Sequence, residues 1–168
     1  MTDRTDLLDR ILPRPCHTRP FICEGFPDQQ DVVVVGENPA TQMDADWWEY
    51  WRPHGGFDRN RFMEDYRKRR PVLRGTRARL ERMKVEHGLR VLETNIANER
   101  IDGAGRNPTD NAWLLRLVVG QDIPVIVHGK KAQRAVSLGF PELKSIPTRH
   151  FSRISFDELD RLSSDLRL

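Results

Sequence analysis

Four valines, Val32–Val35, follow one another without an intervening polar residue. A strand that is apolar at every position is buried on both faces, which is typical of a central strand in a parallel sheet covered by helices. The turn Gly36-Glu37-Asn38-Pro39 follows directly. Because ligand crevices of open parallel sheets form beyond the carboxyl ends of the strands, this turn is a candidate site. A simple strand-ending turn is the alternative.

Strand-like and helix-like segments alternate along the rest of the chain, which is typical of an α/β fold. Three further short apolar segments predict strands at 90–94, 124–128 and 144–148. Apolar periodicity and capping residues predict helices at 4–12, from about 71 to Gly88, from Thr109, at 130–138 and after Ser155. The alternation predicts a three-layer α/β/α sandwich with a central, mostly parallel sheet of about four strands.

The last of these helices carries the sharpest boundary signal. Ser155 and Glu158 have the spacing of a capping box, and Ile154 and Leu159 stand at the staple positions on either side of the helix start. The sequence therefore predicts that a helix begins immediately after Ser155.

An aromatic segment at about 42–60 interrupts the alternation. Trp47, Trp48, Tyr50 and Trp51 lie close together and are interleaved with basic residues. Such rings can serve as stacking platforms for unpaired bases. The alternative is that at least some of them fill the core over the edge of the sheet.

Length and composition set the class of protein. A chain of 168 residues with 38% hydrophobic and 32% charged residues is expected to form one domain, residues 1–168, with a core at about 31–154. The N-terminal segment has no apolar core of the signal-peptide kind, so we expect an intracellular, cytoplasmic protein that is monomeric and does not enter a membrane. Cys16 and Cys23 match no zinc or iron–sulfur spacing, and we expect no metal.

The charge is concentrated in one segment. Residues 52–84 contain twelve Lys or Arg and four acidic residues, so this segment carries +8 while the whole chain carries +3. Such a segment is typical of a protein that binds a polyanion. A solvated helix face is the alternative. The polyanion is favoured because Arg67–Arg70, Arg74, Arg77 and Arg79 lack acidic partners at helical spacing.

Polar side chains follow each of the four predicted strands. The first strand is followed by Glu37 and Asn38, the second by Asn95 and Asn98, the third ends at His128, and the fourth is followed by His150 and Ser152. Because the carboxyl ends of parallel strands lie at one edge of a sheet, we expect residues 38, 95 and 150 to meet around one cavity.

This set of motifs resembles the uracil-DNA glycosylase superfamily. GENPAT is similar to the G-x-N-P turn of its mismatch-specific, thymine-DNA and single-strand-selective branches, whereas NIANERIDGAGRNPT and VIVHGKKA resemble the iron–sulfur uracil glycosylases. The resemblance covers about residues 31–154. It implies a base-excision repair enzyme that flips a uracil or another deaminated or mismatched base out of DNA and hydrolyses its N-glycosidic bond without a cofactor.

The resemblance also implies roles for base-binding residues. Gly36 allows close approach of the ligand, the ring of Phe57 stacks on the flipped base, and the amide of Asn95 reads the O4 and N3–H edge. Asn98 is the alternative for that reading. His150 donates a hydrogen bond to the base O2, where negative charge accumulates.

Further roles concern water and phosphate. Asn38 would hold the attacking water, with Glu37 as an added candidate and Asp44 and Asp46 nearby. Ser152, Arg153 and Lys130 are expected to bind the DNA backbone, as are Arg67 and Arg70 of the basic segment. In the family a proline or similar small turn former usually stands between the His and the Ser, where this chain has Phe151.

Two other classes of function remain open. One is a non-catalytic module of the same fold that binds nucleic acid. The other is a nucleotide- or phosphosugar-processing enzyme, against which the sequence lacks a G-x-G-x-x-G or Walker loop.

Overall fold

The computed structural model describes residues 4–39, 41, 43–97, 111–119 and 122–167. The strands are β1 (Phe21–Ile22), β2 (Val32–Gly36), β3 (Trp51–Arg52), β4 (Gly56–Phe57), β5 (Val91–Asn95), β6 (Val125–His128) and β7 (Ser145–Thr148). The α-helices are α1 (Arg4–Ile11), α2 (Arg59–Arg69), α3 (Gly75–Val85), α4 (Ala112–Val119), α5 (Lys130–Gly139) and α6 (Phe156–Asp165). Short 3₁₀ turns lie at Pro27–Gln29, Trp47–Tyr50 and Phe151–Arg153.

The central sheet has five strands in the order β1-β5-β2-β6-β7. Strands β5, β2, β6 and β7 are parallel, so the mostly parallel sheet predicted from the sequence is confirmed. Strand β1 pairs antiparallel with β5 at one edge and was not predicted. A two-residue strand cannot show the alternation by which strands are recognised in a sequence.

The strand order fixes where a ligand crevice forms. From β2 the chain crosses to β5 on one side, and it later returns to β6 on the other side of β2. The order therefore reverses between β2 and β6, and crevices of open α/β sheets lie at such a switch point, beyond the carboxyl ends of the strands. Gly36 and His128 end these two strands.

The valine run of β2 packs against helices on both of its faces. Val33 and Val35 belong to one apolar cluster with residues of α1, α2, α4 and α5. Val32 and Val34 belong to a second cluster with residues of α3 and α6. Successive side chains of a strand point to opposite faces, so burial of all four valines requires apolar neighbours on both sides.

The aromatic segment is part of the core. Trp47, Trp48, Tyr50 and Trp51 are all buried, and Phe57 is only 2% exposed. The indole N–H groups of Trp47 and Trp48 donate to the carbonyls of Phe21 and Pro13, at 2.9 and 2.8 Å. Rings whose polar ends are satisfied inside the protein cannot stack on bases, so the predicted platform is wrong and the core-filling alternative is correct.

Two helix boundaries in the basic segment differ from the prediction. Helix α2 was not predicted, although Asp58 caps its first turn by accepting from the Arg61 N–H at 3.0 Å. The helix expected from about residue 71 begins at Gly75. Pro71 does not start a helix but follows the end of α2, because the residue before a proline avoids the helical conformation.

The last predicted helix begins where its capping signal places it. At α6 the Ser155 side chain accepts from the Glu158 N–H and the Glu158 carboxylate accepts from the Ser155 N–H, which confirms the capping box. Thr109 lies outside the described residues. In the described part of the chain no helix combines the length and the apolarity that crossing a bilayer demands.

Candidate functional site

A pocket of about 750 Å³ opens at the carboxyl ends of the parallel strands. Asn38, Asn95 and His150 all line it, so three residues far apart in the sequence lie around one cavity as expected. Glu37, Ser152 and Arg70 from the predicted set line it too. Its volume lies within the range of about 300–1,000 Å³ that is typical of sites for whole small molecules.

Gly36 ends β2 between two residues that line the pocket, Asn95 and His128, although it is not itself part of the pocket wall. It is paired in register with Asn95 of the neighbouring strand. A Cβ atom at this position would lie 2.7 Å from Oδ1 of Asn95 and 2.8 Å from Nε2 of His128. Such distances are too short for non-bonded atoms, so the absence of a side chain lets the amide and the imidazole approach each other over the backbone.

The His150–Ser152 turn orients the His150 ring. Nδ1 of His150 lies 2.7 Å from the Ser152 hydroxyl oxygen and accepts a hydrogen bond from the Ser152 backbone N–H at 3.3 Å. Because a backbone N–H can only donate, Nδ1 carries the lone pair and the neutral ring carries its proton on Nε2. The turn thus leaves Nε2–H as the free donor of a side chain that lines the pocket.

His128 is a buried imidazole that the sequence analysis noted at a strand end without giving it a role. Its ring packs edge to face against His150, with ring centroids 4.9 Å apart, and stacks on Phe151 at 4.8 Å. Burial, together with the nearby His150, lowers the pKa of His128 to about 4. His128 is therefore neutral at physiological pH.

Phe151 packs beneath the turn that carries His150 and Ser152. Its side chain is fully buried in the cluster formed with α3 and α6, and its backbone N–H lies 3.4 Å from Nδ1 of His128. The phenyl ring anchors the turn between His150 and Ser152 by packing. A small turn former would do this by restricting the backbone.

Gly129 gives the neighbouring turn its shape. It has φ of +87° between β6 and α5, and a Cβ atom there would lie 3.3 Å from Cδ2 of His150. Only glycine adopts this backbone conformation without strain, and its missing side chain also leaves room for the His150 ring.

Glu37 is held by an ion pair. Its Oε1 atom accepts from Nζ of Lys131 in the first turn of α5, at 2.7 Å. Lys131 is mostly exposed, so the pair restrains the carboxylate at the mouth of the pocket and contributes little to stability. Lys131 rather than the predicted Lys130 is the α5 residue tied to the site.

Several predicted site residues do not line this pocket. Phe57 packs among Phe21, Trp47, Tyr50 and Phe62, so its predicted stacking on a flipped base is wrong. Three predicted backbone-binding residues, all exposed, are also absent from the pocket wall: Arg67, Lys130 and Arg153. Asn98 lies outside the described residues.

The two aspartates considered as helpers of the water have other partners. Asp44 forms an ion pair with Arg69. Asp46 caps the 3₁₀ turn at Trp47–Tyr50 and accepts a hydrogen bond from the Cys16 N–H at 2.8 Å. Neither aspartate is among the residues that line the pocket.

Ion pairs neutralise part of the basic segment. Lys68 pairs with Asp65, Arg69 with Asp44, Arg77 with Glu93 and Arg82 with Asp160. Arg79 donates to the Ile154 carbonyl. The expectation of no acidic partner at helical spacing is wrong for Lys68, which pairs with Asp65 at i,i+3, and for Arg77, whose Nη1 atom also lies 3.9 Å from Glu81 at i,i+4. Arg69 has no such partner at helical spacing but pairs with Asp44, which is distant in the sequence.

Two arginines of the basic segment, Arg70 and Arg74, are available to contact a ligand. Arg70 and Arg74 are exposed, line the pocket and have no acidic partner among the described residues. They stand on the short connection between α2 and α3, which forms one rim of the pocket. A cationic rim of this kind is suited to phosphate.

A buried charge network forms the inner wall. Glu93 of β5 is 7% exposed and accepts from Arg77 Nη1 at 2.6 Å and from Arg59 Nη2 at 3.2 Å. Burial acts to raise the pKa of Glu93, but the Arg77 and Arg59 guanidinium groups outweigh it, so the pKa lies below its usual value. Arg59 also pairs with Glu81.

The sequence carried a signal for this network. Glu93 and Thr94 are polar residues in the buried part of strand β5, and a buried charge requires partners. What the sequence did not show was which arginines these are, because Arg59 and Arg77 come from two different helices. Tyr66 of α2 is another pocket-lining residue that the sequence analysis did not single out.

Comparisons with known proteins give no match. No protein-family model, no curated protein and no solved structure matches this chain. Among the described residues, no group of three or more His, Cys, Asp or Glu side chains is arranged to hold a metal ion.

Proposed function

We propose that this protein is a DNA glycosylase of the uracil-DNA glycosylase type, with a three-layer α/β/α fold, which hydrolyses the N-glycosidic bond of uracil or another deaminated or mismatched base. The observation that carries the proposal is that Asn38, Asn95 and His150 line one pocket at the switch point of a parallel sheet. These are the residues for which the motif resemblance implies catalysis and base reading.

The base is read at the end of β5. The Asn95 amide offers one donor and one acceptor, which match the O4 and N3–H groups of a uracil-type base. Gly36 leaves space for the amide over the backbone. Tyr66 takes the role of the aromatic wall, because it lines the pocket whereas Phe57 does not.

Bond cleavage uses the two sides of the pocket. As the bond between C1′ and the base nitrogen breaks, its electron pair stays on the base and charge accumulates on O2, to which His150 Nε2–H donates. Such a donor is worth about 3 kcal/mol in a site shielded from water. Water held by Asn38 adds to C1′ and gives its proton to Glu37. Glu37 then loses this proton to solvent and the base anion takes one up, so the products are the neutral base and the sugar with a hydroxyl group on C1′.

The flanking strand is held by cations and hydroxyl groups. Arg70, Arg74 and Ser152 line the same pocket and are proposed to bind the phosphates on either side of the flipped nucleotide. Flipping costs a few kcal/mol, so these contacts offset the loss of stacking.

The test is release of the base. Oligonucleotides that contain uracil, hypoxanthine or mismatched thymine, single-stranded and duplex, are incubated with the protein and treated with alkali. We expect strand breaks at the modified position only. Asn95→Ala and His150→Ala should abolish most turnover while DNA binding is retained. Asn60→Ala and His54→Ala are matched controls, because both residues are exposed and neither lines the pocket. If no base is released from any oligonucleotide of the panel, the proposal is contradicted.

One observation favours a second candidate, a nucleic-acid-binding module without catalysis. Both carboxylates that line the described part of the pocket are engaged in ion pairs, Glu37 with Lys131 and Glu93 with Arg77 and Arg59. A site without a free carboxylate has no strong general base. Tight binding of the same oligonucleotides without release of any base supports this candidate.

A further inference from the structure

Arg19 reaches the pocket because of the antiparallel edge strand. Strand β1 runs opposite to β5, so the residues that precede β1 lie beside the carboxyl end of β5. Pro20 is fixed there, since its carbonyl accepts a hydrogen bond from the Thr94 hydroxyl at 2.8 Å. Arg19 lines the same pocket as Asn95.

One buried donor of the Arg19 guanidinium has no partner in the part of the chain that the structure describes. Its Nη1 atom is buried and makes no hydrogen bond within the described structure, and no carboxylate forms an ion pair with it there. Nε of Arg77, on the same pocket wall, is also buried without a hydrogen bond. A buried donor without an acceptor is costly, and such a group in a pocket wall is suited to bind an anion.

The local charge balance agrees with this. Beside Arg19 lies a buried network of two guanidinium groups, those of Arg59 and Arg77, and the two carboxylates of Glu81 and Glu93, whose charges balance. The positive charge of Arg19 is therefore uncompensated among the described residues. Burial and the neighbouring Arg77 lower the pKa of Arg19 to about 10, which still leaves it charged at neutral pH.

Oxyanions are the ligands that match this wall. A guanidinium presents N–H donors in a plane, which suits the paired oxygens of a phosphate. Arg70 and Arg74 extend the positive potential from the inner wall to the rim. The pocket of about 750 Å³ has room for more than a planar base, so a phosphate can enter together with its sugar.

We propose that Arg19, next to Arg77, forms an oxyanion subsite that binds a phosphate group of the ligand inside the pocket. The subsite itself follows from the unpartnered donors, whereas the identity of the phosphate rests on the proposed function. A phosphodiester of a DNA strand and the phosphate of a free nucleotide share this chemistry.

The first experiment measures thermal unfolding with inorganic phosphate at constant ionic strength, in the wild type and in Arg19→Gln. We expect phosphate to raise the wild-type melting temperature and to bind at least tenfold more weakly to Arg19→Gln. Without phosphate, Arg19→Gln should melt at the same or a higher temperature, because it removes an uncompensated charge. Arg161→Gln, on the exposed side of α6, is the matched control and should respond to phosphate like the wild type.

Three outcomes overturn the subsite. An equal response of the wild type and Arg19→Gln to phosphate places any binding elsewhere. A wild type that does not respond to phosphate has no such subsite. If Arg19→Gln fails to fold, the cation is balanced within the protein. Arg19→Lys, which keeps the charge but loses the planar donors, should retain a weakened response.

The second experiment identifies the source of the phosphate. Uracil-containing oligonucleotides in which the phosphates flanking the uracil are replaced by uncharged methylphosphonates are compared with deoxyuridine monophosphate. If the replacement weakens binding to the wild type but not to Arg19→Gln, the subsite holds a phosphodiester. If only binding of the mononucleotide depends on Arg19, it holds a free nucleotide. Base release is measured separately, so failure of the proposed glycosylase activity leaves the phosphate result readable.

Discussion

The imidazole rings of His128 and His150 meet edge to face, with centroids 4.9 Å apart, at the junction between the sheet and the pocket. The two rings have different environments. Both rings line the pocket, but His128 is buried and stacked on Phe151, whereas His150 is exposed. A cationic His128 would repel a proton on His150 and strain the turn that carries it.

Acid should destabilise the protein through His128. Its pKa is about 4 in the folded protein and about 6.5 when unfolded, so the unfolded chain binds the extra proton between these values. The stability that depends on neutral His128 is present above pH 6.5 and is lost as the pH falls through that window. Urea unfolding at pH 7 and pH 5 should show a decrease about 2 kcal/mol larger for the wild type than for His128→Gln.

The control for this effect is His54→Gln, an exposed histidine between β3 and β4. It should lose as much stability on acidification as the wild type. If the unfolding free energies of the wild type and His128→Gln depend equally on pH, folding does not lower the pKa of His128 and the prediction is wrong.

Gly36→Ala should damage the site more than the fold. The added methyl would collide with Oδ1 of Asn95 and Nε2 of His128, so both side chains must move. We expect a loss of about 1–3 kcal/mol in stability, as for overpacking, and loss of most ligand-dependent activity. Chemical denaturation and base release measure the two effects.

Gly139→Ala is the matched substitution for this test. Nothing lies within 4 Å of a Cβ atom at the end of α5, so the change should be neutral or stabilising by up to about 1 kcal/mol. If Gly36→Ala behaves in the same way, the close approach at the end of β2 has no functional meaning.

Glu37 has two roles that can be tested separately: it is proposed to accept the proton of the attacking water, and it forms an ion pair with Lys131. If Glu37 takes the proton of the attacking water, Glu37→Gln should slow base release by about 10²–10⁴-fold. Lys131→Met removes the partner but keeps the carboxylate, so turnover should change only a few-fold. Single-turnover rates at saturating protein make the comparison. Similar rates for Glu37→Gln and the wild type would assign the water to Asn38 alone.

Affinity for DNA should depend on salt through the unpaired arginines of the rim. Each phosphate contact contributes about 0.9 to the slope of log affinity against log salt on duplex DNA. Arg70→Gln and Arg74→Gln should each reduce the slope by about one contact. Lys68→Gln should leave it unchanged, because Lys68 is paired with Asp65 on the surface of α2. Equal slopes for all variants would contradict phosphate contact at the rim.

The centre of the sheet was predictable because its two middle strands, β2 and β6, are apolar over almost their whole length. Val32–Val35 and Val125–His128 are buried throughout, and each signals its own strand without knowledge of its neighbours. Strand β1 was not predictable, since Phe21–Ile22 is too short to carry a pattern. Helix α2 could have been found from the Asp58 cap and the spacing of Phe62 and Tyr66, but its many charges obscured the apolar stripe.

The site was predictable where it depends on strand ends and not where it depends on packing. Asn38, Asn95 and His150 lie together because parallel strands end at one edge. Phe57 was misassigned because sequence cannot distinguish an aromatic ring in the core from one in a pocket. The partners of Glu93 and the place of Arg19 follow from how two helices and an edge strand pack, which no local pattern encodes.

The arrangement of the indoles has a spectroscopic consequence. Trp47 packs against Trp48 and Trp51, and Phe21 contacts the rings of Trp47, Trp51 and Trp113, so every tryptophan in the chain belongs to one connected aromatic group. None of them lies in the described wall of the large pocket. Intrinsic fluorescence will therefore report the integrity of that half of the molecule and stay silent when a ligand merely fills the pocket. A change in emission on adding DNA would signal a rearrangement that reaches the packed tryptophans.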